Sequence, residues 1–216
     1  MKVIPREAGK ITYSTKIRTL KGLSLNKKQK AVIVGSILGD GHLEPNWSKT
    51  NYRLKINNSV KQSEYVLWKY HILQSITLSS PRECLSNDSI GFRTISHREI
   101  FAYRFLFYNQ NGKKIVPRRI AEYLNNRLAV AVWFMDDGNA RLQGKIHRGY
   151  FLNTQSFSLQ ENRKLIVALR HLTGARFLLS KDHSYYRLYV GKKVDREKFA
   201  QYIKPYILPS LRYKLG

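Results

Sequence analysis

The chain predicts an α/β fold (α+β) made of two similar halves, each with antiparallel sheet, on three observations. Two apolar runs end in Asp-Gly and lie 97 residues apart: AVIVGSILGDG from Ala31 to Gly41, and LAVAVWFMDDG from Leu128 to Gly138. Further matches follow at nearly the same offset. Ser59-Val60 falls opposite Ser156-Phe157, Glu64 opposite Glu161, and Arg98-Glu99-Ile100-Phe101-Ala102 opposite Arg196-Glu197-Lys198-Phe199-Ala200. Near the ends, Lys114-Ile115-Val116-Pro117 and Tyr206-Ile207-Leu208-Pro209 share an apolar-apolar-Pro pattern. Matches in one order at a nearly constant spacing indicate a duplicated unit of about a hundred residues. The third observation is that both halves run through the same alternation of helical and strand-like periodicity.

Each element has its own signal. Asn26 with Gln29 caps the first apolar run, and Asn125 or Asn126 caps the second. After each Asp-Gly end a loop is expected, then a strand, Tyr52–Ser59 or Tyr150–Ser156. Helical periodicity returns over Glu64–Ile76 and Leu159–Leu172, the latter opened by a Ser158/Glu161 capping box. A strand at Ile90–Ile95 or Tyr185–Val190 follows, and a helix at His97–Tyr108 or Asp195–Ile203 closes each half. The predicted division is a basic arm over residues 1–25 and two units over 26–127 and 128–216.

Charge narrows the partners. A net charge of +25 and a pI near 10.3 favour a polyanion. The excess is spread: residues 1–127 carry 23 basic and 8 acidic side chains and residues 128–216 carry 16 and 6, so both halves are expected to face the same partner. No apolar run approaches the roughly 20 residues of a spanning helix, so no membrane partner is expected. The opening MKVIPREAGKITYSTKIRTLKGL lacks the apolar core of a secretory signal. Its Arg and Ser content fits a short organellar presequence, but a basic arm along nucleic acid is the favoured expectation. The single Cys84 excludes an intrachain disulfide and a cysteine-rich zinc site.

The strands carry basic and polar residues between apolar ones. Arg53, Lys55 and Asn57 interleave with Leu54 and Ile56, and Arg187 and Tyr189 flank Leu188. Period-two alternation sends one set to the helices and the other to an open face suited to phosphates and base edges. Ordinary solvent-facing polarity would give the same alternation; the charge surplus tips the balance to nucleic acid. Arg93 belongs to the expected DNA-binding set of the first half. In the second half it comprises Arg141, Lys145, Arg148, Tyr150, Asn153, Gln155, Arg187, Tyr189 and Lys192.

The two acids are the sharpest local signal. Asp-Gly alone reads as a turn or a helix end, with glycine as the residue after the cap. A carboxylate there nevertheless sits at the negative end of the helix dipole, where a cation is preferred. Asp40 and Asp137 are explained together if a divalent cation sits on them. Gly35 and Gly39, four apart, give one face on which another backbone can approach closely. Val132 and Asp136 occupy the matching places of the second helix and limit the symmetry.

IVGSILGDG (Ile33–Gly41) and VAVWFMDDG (Val130–Gly138) resemble the two motifs of the LAGLIDADG homing endonucleases of the monomeric, two-motif type. The first keeps Gly35, Ile37, Asp40 and Gly41; the second keeps Ala131, Asp137 and Gly138. LNTQSF (Leu152–Phe157) and IKPYILPSLRYKL (Ile203–Leu215) are similar to the mitochondrial omega-intron type. The resemblance implies a pseudo-twofold pair of αββαββα units whose curved sheets form a saddle over the major groove of double-stranded DNA.

By the same resemblance Asp40 and Asp137 hold Mg2+, helped by the backbone carbonyls of Gly39 and Asp136. Mn2+ would substitute and Ca2+ would bind without cleavage. Lys114, in KKIVP, and Lys214, in RYKL, match the family's active-site lysines, and Asn57, Asn153 and Gln155 are expected on strands near the centre, where they would position water. The implied activity is a Mg2+-dependent double-strand break in a long DNA target by a monomer encoded in an organellar, most simply mitochondrial, intron. The rivals are an RNA-binding intron maturase of the same fold and a non-catalytic DNA-binding regulator.

Overall fold

The structure, a computed structural model, describes residues 15–46 and 50–216; most of the expected N-terminal arm lies outside them. The first described element is a helix, α1 (Thr15–Gly22), which buries Ile17, so this part of the arm is folded against the protein. Two units follow. The first comprises α2 (Lys27–Leu38), β1 (His42–Pro45), β2 (Tyr52–Ser59), α3 (Ser63–Leu73), β3 (Arg82–Cys84), β4 (Ser89–Arg93) and α4 (Arg98–Phe107). After a short α5 (Ile120–Tyr123), the second comprises α6 (Arg127–Asp137), β5 (Gly138–Gln143), β6 (Ile146–Leu152), α7 (Leu159–Thr173), β7 (Leu178–Asp182), β8 (Tyr185–Val190) and α8 (Lys193–Ile203). Each is helix, two strands, helix, two strands, helix, in agreement with the duplication.

Each unit has one four-stranded antiparallel sheet, ordered β1-β2-β4-β3 in the first and β5-β6-β8-β7 in the second. In both, the strand that follows the motif helix lies at the edge and the next lies inside. Leu43 pairs with Leu54 and Ile56 with Phe92; Leu152 pairs with Leu188 in the second sheet. These residues turn to the helices, and Arg53, Lys55 and Asn57 turn away, as the alternation predicts.

The caps form as expected. Asn26 and Gln29 make a reciprocal box, with N–H to side-chain distances of 2.9 and 3.0 Å. Asn126, rather than Asn125, caps α6 by accepting from the Ala129 amide at 2.9 Å. Ser158 and Glu161 form the box at the start of α7. That helix ends on Gly174 at φ +67°, a left-handed turn open to glycine at little cost.

Strand assignments needed three corrections. No loop follows the Asp-Gly ends: β1 begins at His42 and β5 at Gly138, so each motif helix feeds straight into its sheet. The strand expected over Tyr150–Ser156 is β6, which ends at Leu152; Asn153 and Gln155 therefore lie on the following loop. Finally, β3 and β7 precede the single strand read at that point of each half and form the far edges of the sheets. The β5–β6 register also slips between Arg141 and Leu142, leaving Arg148 bulged without a partner on β5.

α2 and α6 are buried on nearly every side and pack against each other at the centre, joining both halves into one core. A helix apolar all round has to be enclosed, and these two enclose each other. Glycine makes the contact close: a Cβ on Gly35 would stand 2.5 Å from the Ala129 carbonyl oxygen, and one on Gly39 would stand 2.4 Å from Asp136 Cβ. The motif-end glycines instead let the chain turn back tightly on its own helix. A Cβ on Gly41 would meet Ser36 at 2.8 Å, and one on Gly138 would meet the Phe134 ring at 2.1 Å. Gly138 has φ −89°, so close approach rather than left-handed backbone explains it.

Candidate active site

The C-terminal ends of α2 and α6 meet, and the expected acids meet with them. Asp40 and Asp136-Asp137 lie close enough that burial first, then the Asp40 and Asp136 charges, push the Asp137 carboxyl up to about 7. Lys114 and Lys214 oppose that rise. Asp40 Oδ2 accepts a hydrogen bond from Asn58 Nδ2 at 3.2 Å. The start of the loop after β6 is pinned to the second acid, with the Asn153 amide donating to the Asp137 carbonyl at 3.0 Å.

Both expected lysines reach this centre. Lys114 Nζ donates to the Gly39 carbonyl at 2.5 Å, and Lys214 Nζ donates to the carbonyls of Met135 and Asp136 at 2.5 and 2.9 Å. Each therefore supplies a cation at the negative end of its own unit's motif helix, where the dipole favours one. They arrive by different routes. Lys114 precedes Pro117 and bridges to Tyr108, whereas Lys214 follows Pro209 on a 3-10 segment, Pro209–Leu215. Burial pushes both ammonium groups below the usual lysine range, against the pull of Asp40, Asp136 and Asp137.

Three residues of the centre went unpredicted: Lys69, Tyr65 and Asn58. Lys69 is completely buried, and its Nζ binds Asp136 Oδ1 and Oδ2 at 2.7 and 3.1 Å. Tyr65 donates to the Val132 carbonyl at 3.1 Å, and burial raises its hydroxyl well above the usual range. The clue was in the sequence: Tyr65, Val66, Lys69 and Leu73 form one stripe of α3, so a lysine stands on the buried face. A lysine so placed needs an acidic partner.

The candidate ligand set is two carboxylates and two carbonyls. Among the described residues no three His, Cys, Asp or Glu side chains gather as a metal cluster. The carbonyls of Gly39 and Asp136 each accept a lysine N–H, leaving their second lone pair. The exposed Asp40 and the partly buried Asp137 are hard oxygen donors whose mutual repulsion a dication relieves, so the residues present fit such an ion.

The outward sheet faces are basic and ordered by aromatic rings. Arg53 and Arg93 both pair with Glu44 at 2.8 Å, beside Lys55 and Asn57. Ser89 donates to Asn57 Oδ1 at 3.3 Å. In the second sheet the Arg187 guanidinium lies 3.8 Å from the Phe151 ring centre, and that of Arg141 lies 5.2 Å from the Tyr189 ring. The Tyr189 hydroxyl donates to the Arg148 carbonyl at 2.8 Å, and Gln155 donates to Asp182 at 2.7 Å. Arg141, Lys145, Arg148 and Lys192 are exposed.

Tyr150 is the exception. It shares the inward face with Leu152 and is boxed by Phe134, Phe199 and His147, with 5% of its surface exposed. It is a core residue and leaves the expected DNA-binding set. Its parity with Leu152, opposite to that of Asn153 and Gln155, already points it inward along the expected strand.

Comparison with known proteins adds relatives. The chain is 25% identical to the homing endonuclease I-WcaI, solved bound to its DNA recognition sequence; TM-score is 0.81, with 94% of this chain and 93% of that one covered. It is 27% identical to a probable intron-encoded endonuclease 1 of Wickerhamomyces canadensis, covering 89% of this chain and 85% of the relative. To a cytochrome b mRNA maturase bI2 of Debaryomyces hansenii it is 29% identical, over 89% of this chain and 75% of the relative. It spans about half the length of other curated relatives, such as a RecA protein of Mycolicibacterium chitae, 26% identical with 51% covered. No helix among the described residues is long and apolar enough to cross a membrane. Residues 30–196 match the model of the LAGLIDADG DNA endonuclease family, and the chain belongs to that family.

Proposed function

We propose that the chain is a site-specific homing endonuclease that makes a Mg2+-dependent double-strand break in a long DNA target. The observation that carries this is the meeting of Asp40 and Asp137 at the ends of two packed helices, each end held by its own lysine. The acids and the Gly39 and Asp136 carbonyls are the ligands in this reading. A divalent cation bound there supplies Lewis-acid polarisation of a phosphate oxygen and neutralises the charge that develops in cleavage.

The chain's own groups do the rest. Arg53, Lys55, Arg93 and Asn57 on the first sheet, and Arg141, Lys145, Arg148, Arg187, Tyr189 and Lys192 on the second, bind the duplex and fix its register. Lys114 and Lys214 stand at the centre with depressed ammonium pKa values. They stabilise the negative charge of the transition state and can take part in moving the water's proton. Asn57, Asn153 and Gln155 position that water. One chain contains both motif ends, so a monomer suffices, divided into units over residues 26–127 and 128–216 after a basic arm.

The likeness to I-WcaI, solved on DNA, supports a DNA target, and the W. canadensis relative supports an intron-encoded origin, read here as mitochondrial. The test is selection of cut sequences from a randomised duplex library with Mg2+. One recovered site with two cuts a few base pairs apart is expected; an uncut library would refute the proposal. A second reading, an RNA-binding intron maturase, is favoured by the 29% identity to the cytochrome b mRNA maturase. Splicing rescue by an Asp40→Asn/Asp137→Asn chain that no longer cuts DNA would support it.

A further inference from the structure

Asp136 breaks the twofold relation between the motifs. Its counterpart 97 residues earlier is Gly39, and the two meet at the helix crossing, where a Cβ on Gly39 would stand 2.4 Å from that of Asp136. Only one of the two positions can carry a side chain, and the one that does carries a charge. The carboxylate is fully enclosed and is bound through both oxygens by Lys69, itself completely buried. Lys69 Nζ also lies 4.2 Å from the Tyr65 ring centre. At the same offset in the second half stand Asn162 and Ile166, so no equivalent pair can form there.

The pair also reaches the other motif. Asp136 Oδ2 accepts the Asp40 amide at 3.3 Å, while the Asp136 carbonyl accepts Lys214 at 2.9 Å and the next residue is Asp137. One carboxylate therefore links α3 of the first half, the acid of the first motif and the chain leading into the acid of the second. As a stabilising device such a pair is poor, since desolvating two ions offsets most of their attraction, and an apolar pair would fill the space as well. Its orientation is what an apolar pair could not supply.

We propose that Lys69 is a positioning residue for the cleavage centre. It neutralises and orients the Asp136 carboxylate so that this group grips the Asp40 amide, which sets the spacing of Asp40 and Asp137 and couples the two strand cuts. Lys69 is completely buried, and it acts on the candidate ligands only through the Asp136 carboxylate. The inference rests on the endonuclease reading above.

The test uses the full chain, Mg2+ and a supercoiled plasmid carrying the sequence recovered by selection. Lys69→Met/Asp136→Asn and Lys69→Met/Asp136→Leu both remove the ion pair without leaving a lone buried charge. Only the asparagine keeps an oxygen for the Asp40 amide. The asparagine variant is expected to linearise the plasmid within about fivefold of the parent rate, and the leucine variant to accumulate nicked circles with the second cut slowed at least ~10-fold. DNA affinity is expected to stay within about threefold in both, since neither position lies on the DNA-facing sheets. Lys69→Met alone, which strands the carboxylate beside Asp40, is expected to cut more slowly than the asparagine double variant. If the leucine variant fails to fold, Lys69→Met/Asp136→Ala replaces it with the same expectation. Equal yields of linear product from the asparagine and the leucine or alanine variants would overturn this inference alone. A parent chain that cuts nothing would overturn the endonuclease reading and this inference with it.

Discussion

Asp40 and Asp137 were legible because a carboxylate at the negative end of a buried helix costs energy that something must offset. Part of the offset was unexpected: lysines cap the carbonyls of both helix ends, Lys114 on Gly39 and Lys214 on Met135 and Asp136. Residue type alone could not single them out from 39 basic side chains, and only the family resemblance did. Lys69 could have been found, since it stands on the apolar stripe of α3, but its partner lies 67 residues away across the helix crossing. If the capping lysines act on the transition state, Lys114→Met and Lys214→Met should each slow single-turnover cleavage on the order of 10²-fold or more, with little change in DNA affinity. Full-rate cleavage by either variant would remove that lysine from the centre.

At the scale of elements, the capping signals were the most faithful guide: Asn26 with Gln29 and Ser158 with Glu161 both form their boxes. The edge strands were missed for a physical reason. HLEP is four residues long and GNARLQ has little apolar alternation, so neither carries a strand signal; the pairing with β2 and β6 makes them strands. The Arg148 bulge was equally invisible.

The helix crossing gives a direct test of packing. Gly35→Ala would drive a methyl group onto the Ala129 carbonyl and should cost about 1–3 kcal/mol in denaturant unfolding. An unchanged midpoint would contradict so close a crossing.

Glu99 ties the segment before α2 to α4 by accepting the Leu25 amide at 2.7 Å and pairing with Lys30 at 2.7 Å. Burial pushes its carboxyl up, but Lys30 and the Leu25 amide outweigh that and hold it below the usual range. A lowered folded pKa means that its contribution is present above the ordinary glutamate value and is lost as pH falls through the folded one. Glu99→Gln should thus cost about 1 kcal/mol at pH 7, and the gap from the parent should close below about pH 4 in thermal melts. A gap that widens on acidification would reverse the assignment.

For the molecule as a whole, the duplication predicted the architecture, because one offset carried the whole order of elements into both halves. The placement of one half on the other was only half legible. Gly35 and Gly39 announced a close crossing, but the partner face bears Val132 and Asp136, so the twofold is imperfect. The charge of +25 belongs at this scale too. If the two sheets grip some 6–10 phosphates together, affinity for the recovered target should fall by roughly 10³–10⁵ between 50 and 200 mM salt. An affinity that is flat across that range would contradict a phosphate-bound saddle.

In the endonuclease reading, Asp40 and Asp137 form one centre that breaks both DNA strands. Its most direct test labels each strand of the recovered target and compares the parent chain with Asp40→Asn in Mg2+. The parent is predicted to cut both strands a few base pairs apart, and Asp40→Asn to bind the same duplex without making the double-strand break. Normal cutting of both strands by Asp40→Asn would remove Asp40 from the cleavage centre.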